Sequence, residues 1–345
     1  MDSVDVKALC DIRGVSGHEG EVRAHLRTLL EGHVDDLRAD TIGNLFARKA
    51  GRRASPVIMI AAHMDEVGFL VTGADKSGML HFTNVGGIVP AMLPSKVVRI
   101  GPAAIPGVIG TKAVHLQEAS ERTKPFDPEK LRIDIGASSR EQAMKLVKRG
   151  DQITWDVEFG EFGSALWKGR ALDDRVGCAI LAEVLRQAEY EVPVVGVFTV
   201  QEEVGLRGAA VASYAVEPQI AVCLEGTVCA DIPGVEEQAY TTRVGQGPAI
   251  SLMDAGTIHS PVLVRHLVGV AEREGIPYQY REATRGGNDT ARMTMAKAGA
   301  PGCAISVPCR YIHSPVAVCS PEDYRNAVRL VRAFVDSIGR GELTI

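Results

Sequence analysis

The chain has 345 residues, 46% hydrophobic and 23% charged, which is an ordinary globular composition long enough for two cores. Its formal net charge of -5 leaves no basic footprint for nucleic acid and no polybasic face for a membrane. The seven cysteines are scattered with no C-x-x-C pair, no apolar run reaches the ~18 residues of a membrane span, and the opening residues lack a secretory pattern, so a reduced, cytoplasmic protein is expected.

The spacing of Leu26, Leu29 and Leu30 predicts a helix over Glu19–Leu30, followed by a strand near Asn44–Arg48. The continuous apolar run Pro56–Ala62 reads as a strand buried on both faces, as in a parallel sheet. From Val67 to Trp167 short β-branched runs alternate with glycine and proline, which suggests a small barrel-like β unit carrying one helix over Ser139–Arg149. Helices are then expected over Arg175–Ala188, Pro261–Glu274 and Asn288–Ala298, and strands over Val194–Val200, Gln219–Leu224 and Cys303–Val307. A last helix starts at an N-cap Ser320 with Pro321 at its first position and runs to about Ile338. The pattern implies a mixed-sheet α/β domain in two pieces, 1–66 and 168–345, interrupted by a smaller β-barrel-like domain over 67–167.

Five acidic or histidine clusters fall at or beyond strand ends, where open α/β sheets gather their ligands. His63 and Asp65 follow the first buried strand two residues apart; they form either a ligand with its supporting carboxylate or a plain His–Asp hydrogen bond. Asp173 and Asp174 precede a helix, where they either cap it or bridge cations. Glu202 and Glu203 end the strand Val194–Val200, and adjacent carboxylates there must be solvated, paired or metal-bound. Glu225 ends another apolar strand, and His313 lies in the loop after Cys303–Val307. Together His63, Asp173, Glu203, Glu225 and His313 supply two imidazoles and three carboxylates, a set that suits two zinc-like ions with one shared carboxylate, leaving Glu202 as a general base.

At this point the sequence resembles the M42 metallo-aminopeptidases, the TET group. The similarity is carried by Gly14–Gly17, Asp40–Asn44, Ala62–Gly68, Gly107–Gly110, Ile133–Glu141, Ala171–Arg175, Gln201–Gly205, Arg285–Asp289 and Arg310–Pro315, in order along nearly the whole chain. The resemblance implies that Asp173 bridges two divalent ions, zinc, cobalt or manganese. It implies that Glu203 and His313 complete one site, His63 and Glu225 the other, with Glu202 as general base and Asp65 supporting His63. It also implies a cis peptide between Asp173 and Asp174, short peptides as substrates, and a dodecameric self-association in which 67–167 supplies contact surface. Family members more often carry Asp where this chain has Glu225, whose longer side chain is expected to shift that metal or its affinity.

Three other readings stay open from the sequence. A deacylase or carboxypeptidase of the same two-metal architecture would share the ligand set. An endoglucanase would work with two carboxylates and no metal pair. A non-catalytic binding protein would keep the scaffold without turnover. His115 is expected in a structural or interface role, and His18, His25, His33, His259 and His266 as surface or helix residues.

Overall fold

The computed structural model describes residues 4–118, 128–187, 189–282 and 285–343. Its first pieces are the helices Val6–Asp11 and Gly20–Leu30 and the strands β1 (Asp36–Ala39), β2 (Leu45–Lys49) and β3 (Ile58–His63). Six strands then follow: β4 (Gly68–Ala74), β5 (Leu80–Val85), β6 (Val97–Ile100), β7 (Ile105–Gly110), β8 (Arg132–Asp134) and β9 (Gln152–Trp155). They close into an antiparallel barrel in the order β4-β5-β8-β7-β6-β9. The barrel has its own core, in which Phe69 meets Trp155 edge-on with ring centroids 4.9 Å apart.

The remaining strands are β10 (Gly160–Phe162), β11 (Leu166–Gly169), β12 (Val194–Thr199), β13 (Ile220–Cys229), β14 (Ala249–Ser251), β15 (Gln279–Arg281), β16 (Gly302–Arg310) and β17 (Ala317–Cys319). They join β1 to β3 in a mixed sheet ordered β1-β2-β12-β3-β13-β16-β17-β11-β10, with β14 on β16 and β15 on β14. The centre β12-β3-β13-β16 is parallel, and its flanks are antiparallel. The strands β10 and β11, read from sequence as part of the β segment, pair into this main sheet because Phe159 and Trp167 pack against its core.

Both faces of the central strands are covered, which explains their unbroken apolar runs. Ile58, Ile60 and Ala62 of β3 enter one core with the helices Leu172–Leu185, Pro261–Arg273 and Pro321–Gly339, while Met59 and Ala61 meet Ala209, Ala212 and Met293 on the other face. Ser320 caps the last helix by accepting from the Glu322 and Asp323 amides. The helix expected over Asn288–Ala298 is shorter: Thr290–Met293 is helical and the chain then turns, with Lys297 at φ 50° and Gly299 at φ 87°. The helix Leu172–Leu185 stops three residues before position 188, which lies outside the described residues. Among the described residues no helix is long and apolar enough to cross a membrane.

Candidate metal centre

The parallel strands β3, β12, β13 and β16 deliver their following residues to one edge of the sheet. Register places His63 opposite Thr199, and Glu225 opposite Ser306; the strand expected to end at Leu224 runs on to Cys229, so Glu225 lies inside β13 and converges there with His63 and the loops after β12 and β16. His63 Nε2 lies 3.1 Å from Glu225 Oε1 and 3.3 Å from Asp173 Oδ1. His313 Nε2 lies 3.4 Å from Glu203 Oε2 and 3.6 Å from Asp173 Oδ2. The result is two triads sharing Asp173, each with its ligand atoms within 4.8 Å of one another. Glu202 lines the same cleft, of ≈ 400 Å³. A larger groove of ≈ 820 Å³ beside the last helix has no histidine in its lining.

The donor set fits divalent cations for a reason of tautomers. His63 Nδ1 donates to the Asp65 main-chain carbonyl at 2.9 Å, and His313 Nδ1 to the Gly87 carbonyl at 3.0 Å. Each neutral ring therefore turns an Nε2 lone pair toward two carboxylates, and only a cation or a proton between them makes that arrangement favourable. Without a metal the proton takes that place at His63. Burial would lower its pKa, but Glu225, Asp173 and Asp65 carry it well above the ordinary imidazole value. Burial also raises Glu225 and Glu202 well above the carboxylate range and Glu203 to about 7, with Asp173 adding repulsion at Glu203. Asp173 stays below its ordinary value because His63 and His313 outweigh its own burial.

The paired aspartates face different partners. Asp174 Oδ1 accepts the Gly177 amide at 3.0 Å, an N-cap contact, and its Oδ2 accepts the His63 amide at 3.2 Å. Asp173 points to both imidazoles. The peptide bond between them is cis.

Asp65, expected to support His63, and several residues that had no role in the sequence reading are tied together here. Asp65 is fully buried; it accepts the Ser16 hydroxyl at 2.6 Å, the Glu202 amide at 3.0 Å and the Glu203 amide at 3.1 Å. Its carboxylate stands 3.6 Å from His63 Nδ1, so it orients the Glu202–Glu203 backbone more directly than it orients the ring. Glu19 accepts the Gln201 amide, and Asn44 accepts the Val200 amide while donating to Asp40 and the Gly208 carbonyl. The loop 200–203 is thus pinned from three sides. Asp289 accepts from Thr199 Oγ1 at 2.6 Å, and burial lifts its pKa to about 6.

Arg175, fully buried, donates to the carbonyls of Met64, Leu9 and Ile12, and Arg170 pairs with Glu66 below the site. Gly87 and Arg170 were legible only as ordinary loop or charged residues, and Glu66 only as part of the Ala62–Gly68 motif. Four non-glycine residues around the centre, Ala171, Gln201, Tyr311 and His313, have left-handed backbone with φ of 57°, 57°, 62° and 58°.

Two secondary expectations are revised or located. His259 is not a surface residue. It is buried, with Nε2 3.3 Å from Asp254 Oδ2, because the turn 254–257 folds it inward. His115 lies in the short turn Val114–Leu116 and does not line the cleft.

The profile described as M42 glutamyl aminopeptidase matches residues 43–330. The chain belongs to the M42 peptidase family. It is 32% identical over 346 residues to the glutamyl aminopeptidase of Lactococcus lactis, covering 96% of this chain and 95% of that one. It is likewise 32% identical over 343 residues to the lysyl aminopeptidase of Pyrococcus furiosus, covering 96% of each. Among solved structures it resembles the Pyrococcus horikoshii TET1 peptidase, described as able to assemble into a tetrahedron or a large octahedral shell. That match has a TM-score of 0.86 and 32% identity over 96% of this chain and 98% of the other. This M42 chain is accordingly a peptidase of the hydrolase class, in a metal-dependent family with aminopeptidase activity.

Proposed function

We propose that this chain is a two-metal aminopeptidase acting on short peptides, with Glu202 as its general base. The observation that carries the reading is the pair of imidazole–carboxylate triads sharing Asp173, with Glu202 in the same cleft. His63, Asp173 and Glu225 would hold one divalent ion, and Asp173, Glu203 and His313 a second. Zinc suits the nitrogen–oxygen set, as cobalt or manganese also would. Such a pair, when bound, polarises a carbonyl and acidifies water. Glu202 accepts the proton of the attacking water and returns it to the leaving amine. Its burial, which favours the neutral acid, suits the second half of that cycle. Asp65 and Glu19 fix the backbone from which Glu202 projects, so the base is positioned before substrate arrives.

We read 1–66 with 168–345 as the catalytic unit and 67–167 as the self-association unit. The barrel's separate core and the assembly of the Pyrococcus horikoshii relative support this, and a dodecamer in the cytoplasm is the form proposed. Light scattering that showed only monomer would count against the assembly.

Glu202→Gln tests the mechanism. Turnover of aminoacyl-p-nitroanilides should fall by about 10²- to 10⁴-fold with metal content unchanged. Wild-type turnover in that variant would remove the base assignment. An endoglucanase has its own support in a Thermotoga maritima structure described by that name, 35% identical with a TM-score of 0.83. That reading predicts metal-independent cleavage of β-glucan and none of aminoacyl anilides.

A further inference from the structure

β13 loses one of its neighbours beside the candidate metal centre. It pairs with β16 from Ala221 to Cys229, but with β3 only from Ile220 to Cys223. The amide of His63, where β3 ends, donates to Asp174 Oδ2 at 3.2 Å and not to β13. Hydrogen-bonding groups alternate sides along a strand, residue by residue. The Ala221 amide reaches the Pro301 carbonyl, beside β16, at 3.0 Å, and the Ile220 amide reaches the Val57 carbonyl, beside β3, at 3.3 Å. The even-numbered residues of β13 therefore turn N–H and C=O toward β3, and past Cys223 no strand pairs on that side among the described residues.

Beyond Leu224 the residues so turned are Gly226 and Val228, about 6.6 Å apart, and both line the cleft with His63 and Asp173. The Val228 carbonyl is taken by Thr242 Oγ1 at 2.8 Å, which leaves the N–H and C=O of Gly226 and the N–H of Val228 as a row of donor, acceptor and donor. The row runs against the centre itself: a Cβ on Gly226 would stand 3.0 Å from Asp173 Cα. Gly287, on the same lining, is open, since a Cβ there would meet nothing within 4 Å. An unpaired strand edge is a template for another extended chain. At ≈ 400 Å³ the cleft has room for a few residues of peptide and not for the sheet of a second folded copy.

We propose that the edge of β13 at Gly226 and Val228 positions the substrate by taking up its main chain as an added strand, so that this chain cleaves extended peptides in preference to single-residue amides. The inference rests on the aminopeptidase reading above. With the first residue at the imidazole–carboxylate end, the residues after the scissile bond lie along β13. Their amides and carbonyls alternate as those of β13 do, so one residue faces the edge and the next faces away. Pairing of this kind reads backbone and not side chain. It tolerates varied residues past the cleavage point and rejects an N-alkylated one at the position that faces the edge.

The test uses the metal-loaded protein with leucinamide and with Leu-Ala-Ala-Ala-amide, the peptide also made with a single N-methyl group on its third or its fourth residue. The parent peptide should exceed leucinamide in kcat/KM by about 10-fold or more. One of the two methyl groups should lower the peptide's kcat/KM by about 5- to 100-fold, mainly through KM, the worth of a hydrogen bond left unmade, and the other should change it by less than about twofold. Val228→Pro removes the edge N–H without touching the β16 ladder and should lower the peptide-to-leucinamide ratio, and Val228→Ala, which restores the N–H, should recover it. A parent no better than leucinamide, equal effects of both methyl groups, or no effect of either overturns the proposal while the aminopeptidase reading stands, and this scan decides it even where Val228→Pro fails to fold. Assembly lost in Val228→Pro with the ratio intact assigns the edge to a second copy and overturns it as well. If neither substrate is cleaved, the aminopeptidase reading falls. Calorimetric binding of the parent and methylated peptides then decides the edge separately: the same one-sided loss of affinity supports it, and equal affinities overturn it.

Discussion

Asp65→Asn perturbs the site without touching a proposed ligand or the base. Both carboxylate oxygens are spent: Oδ1 on the Glu202 amide, and Oδ2 on the Ser16 hydroxyl and the Glu203 amide. A carboxamide offers one oxygen. In either flip its NH2 faces a backbone N–H, so one buried donor is orphaned, costing about 1–3 kcal/mol. The surviving hydrogen bonds also lose their charge assistance, which brings the total to roughly 3 kcal/mol. With an unfolding entropy near 2.1 cal/mol/K per residue, that is a fall of about 4 °C in the melting midpoint.

The catalytic cost of Asp65→Asn should exceed its stability cost. Glu202 and Glu203 hang on the two peptide units that lose their anchor, and a shift of about 1 Å in a reacting group costs on the order of 10²-fold. Metal affinity should fall by about 10- to 100-fold as Glu203 moves. Calorimetry, metal titration and kcat/KM at saturating metal would be measured together, with Ser16→Ala as the mild comparison at about 1 kcal/mol. An Asp65→Asn protein with wild-type melting, metal affinity and turnover would refute the claim that this carboxylate organises the loop.

Glu225→Ala should bind one ion per chain by elemental analysis, with the His313 site retained, and His313→Ala should show the reciprocal loss; two ions in both variants would dismiss the shared-Asp173 arrangement. Metal loading at pH 7 should release protons, because His63, Glu202 and Glu225 sit well above their ordinary values and Glu203 at about 7 in the metal-free protein. Titration calorimetry in buffers of different ionisation enthalpy reads that release, and buffer-independent heats would contradict it. Glu203 also sets a stability trend for the metal-free protein. Its folded pKa of about 7 exceeds the ordinary 4.5, so the folded state holds the extra proton between those values. Its contribution is fully present below pH 4.5 and lost as pH rises through about 7. The metal-free melting midpoint should therefore fall from pH 5 to 7.5, and metal should reverse the fall.

The sequence by itself determined the rhythm of strands and helices and the identity of the chemical groups. Unbroken apolar runs such as Ile58–Ala62 and Val194–Thr199 mark strands covered on both faces, and His63, Glu202 and Glu203 mark where those strands end; Glu225, expected at a strand end, lies inside β13 because that strand continues to Cys229. That much is local, because burial and periodicity act over a few residues. Which carboxylate faces which imidazole was decided by register between β3, β12, β13 and β16, strands far apart in the chain.

The same long-range packing separated Asp174, which accepts the Gly177 amide, from Asp173, which faces both imidazoles, a distinction that adjacent identical residues cannot carry in their own letters. It turned His259 inward onto Asp254, and it brought the Gly87 carbonyl beside the barrel to His313, 226 residues later. It also set Arg281 on a wall shared with Thr227 of β13. Apart from the local Asp174–Gly177 and Asp254–His259 pairs, each of these contacts joins distant segments. Its geometry exists only once the hydrophobic faces have chosen their partners, so no reading of neighbours along the chain could supply it.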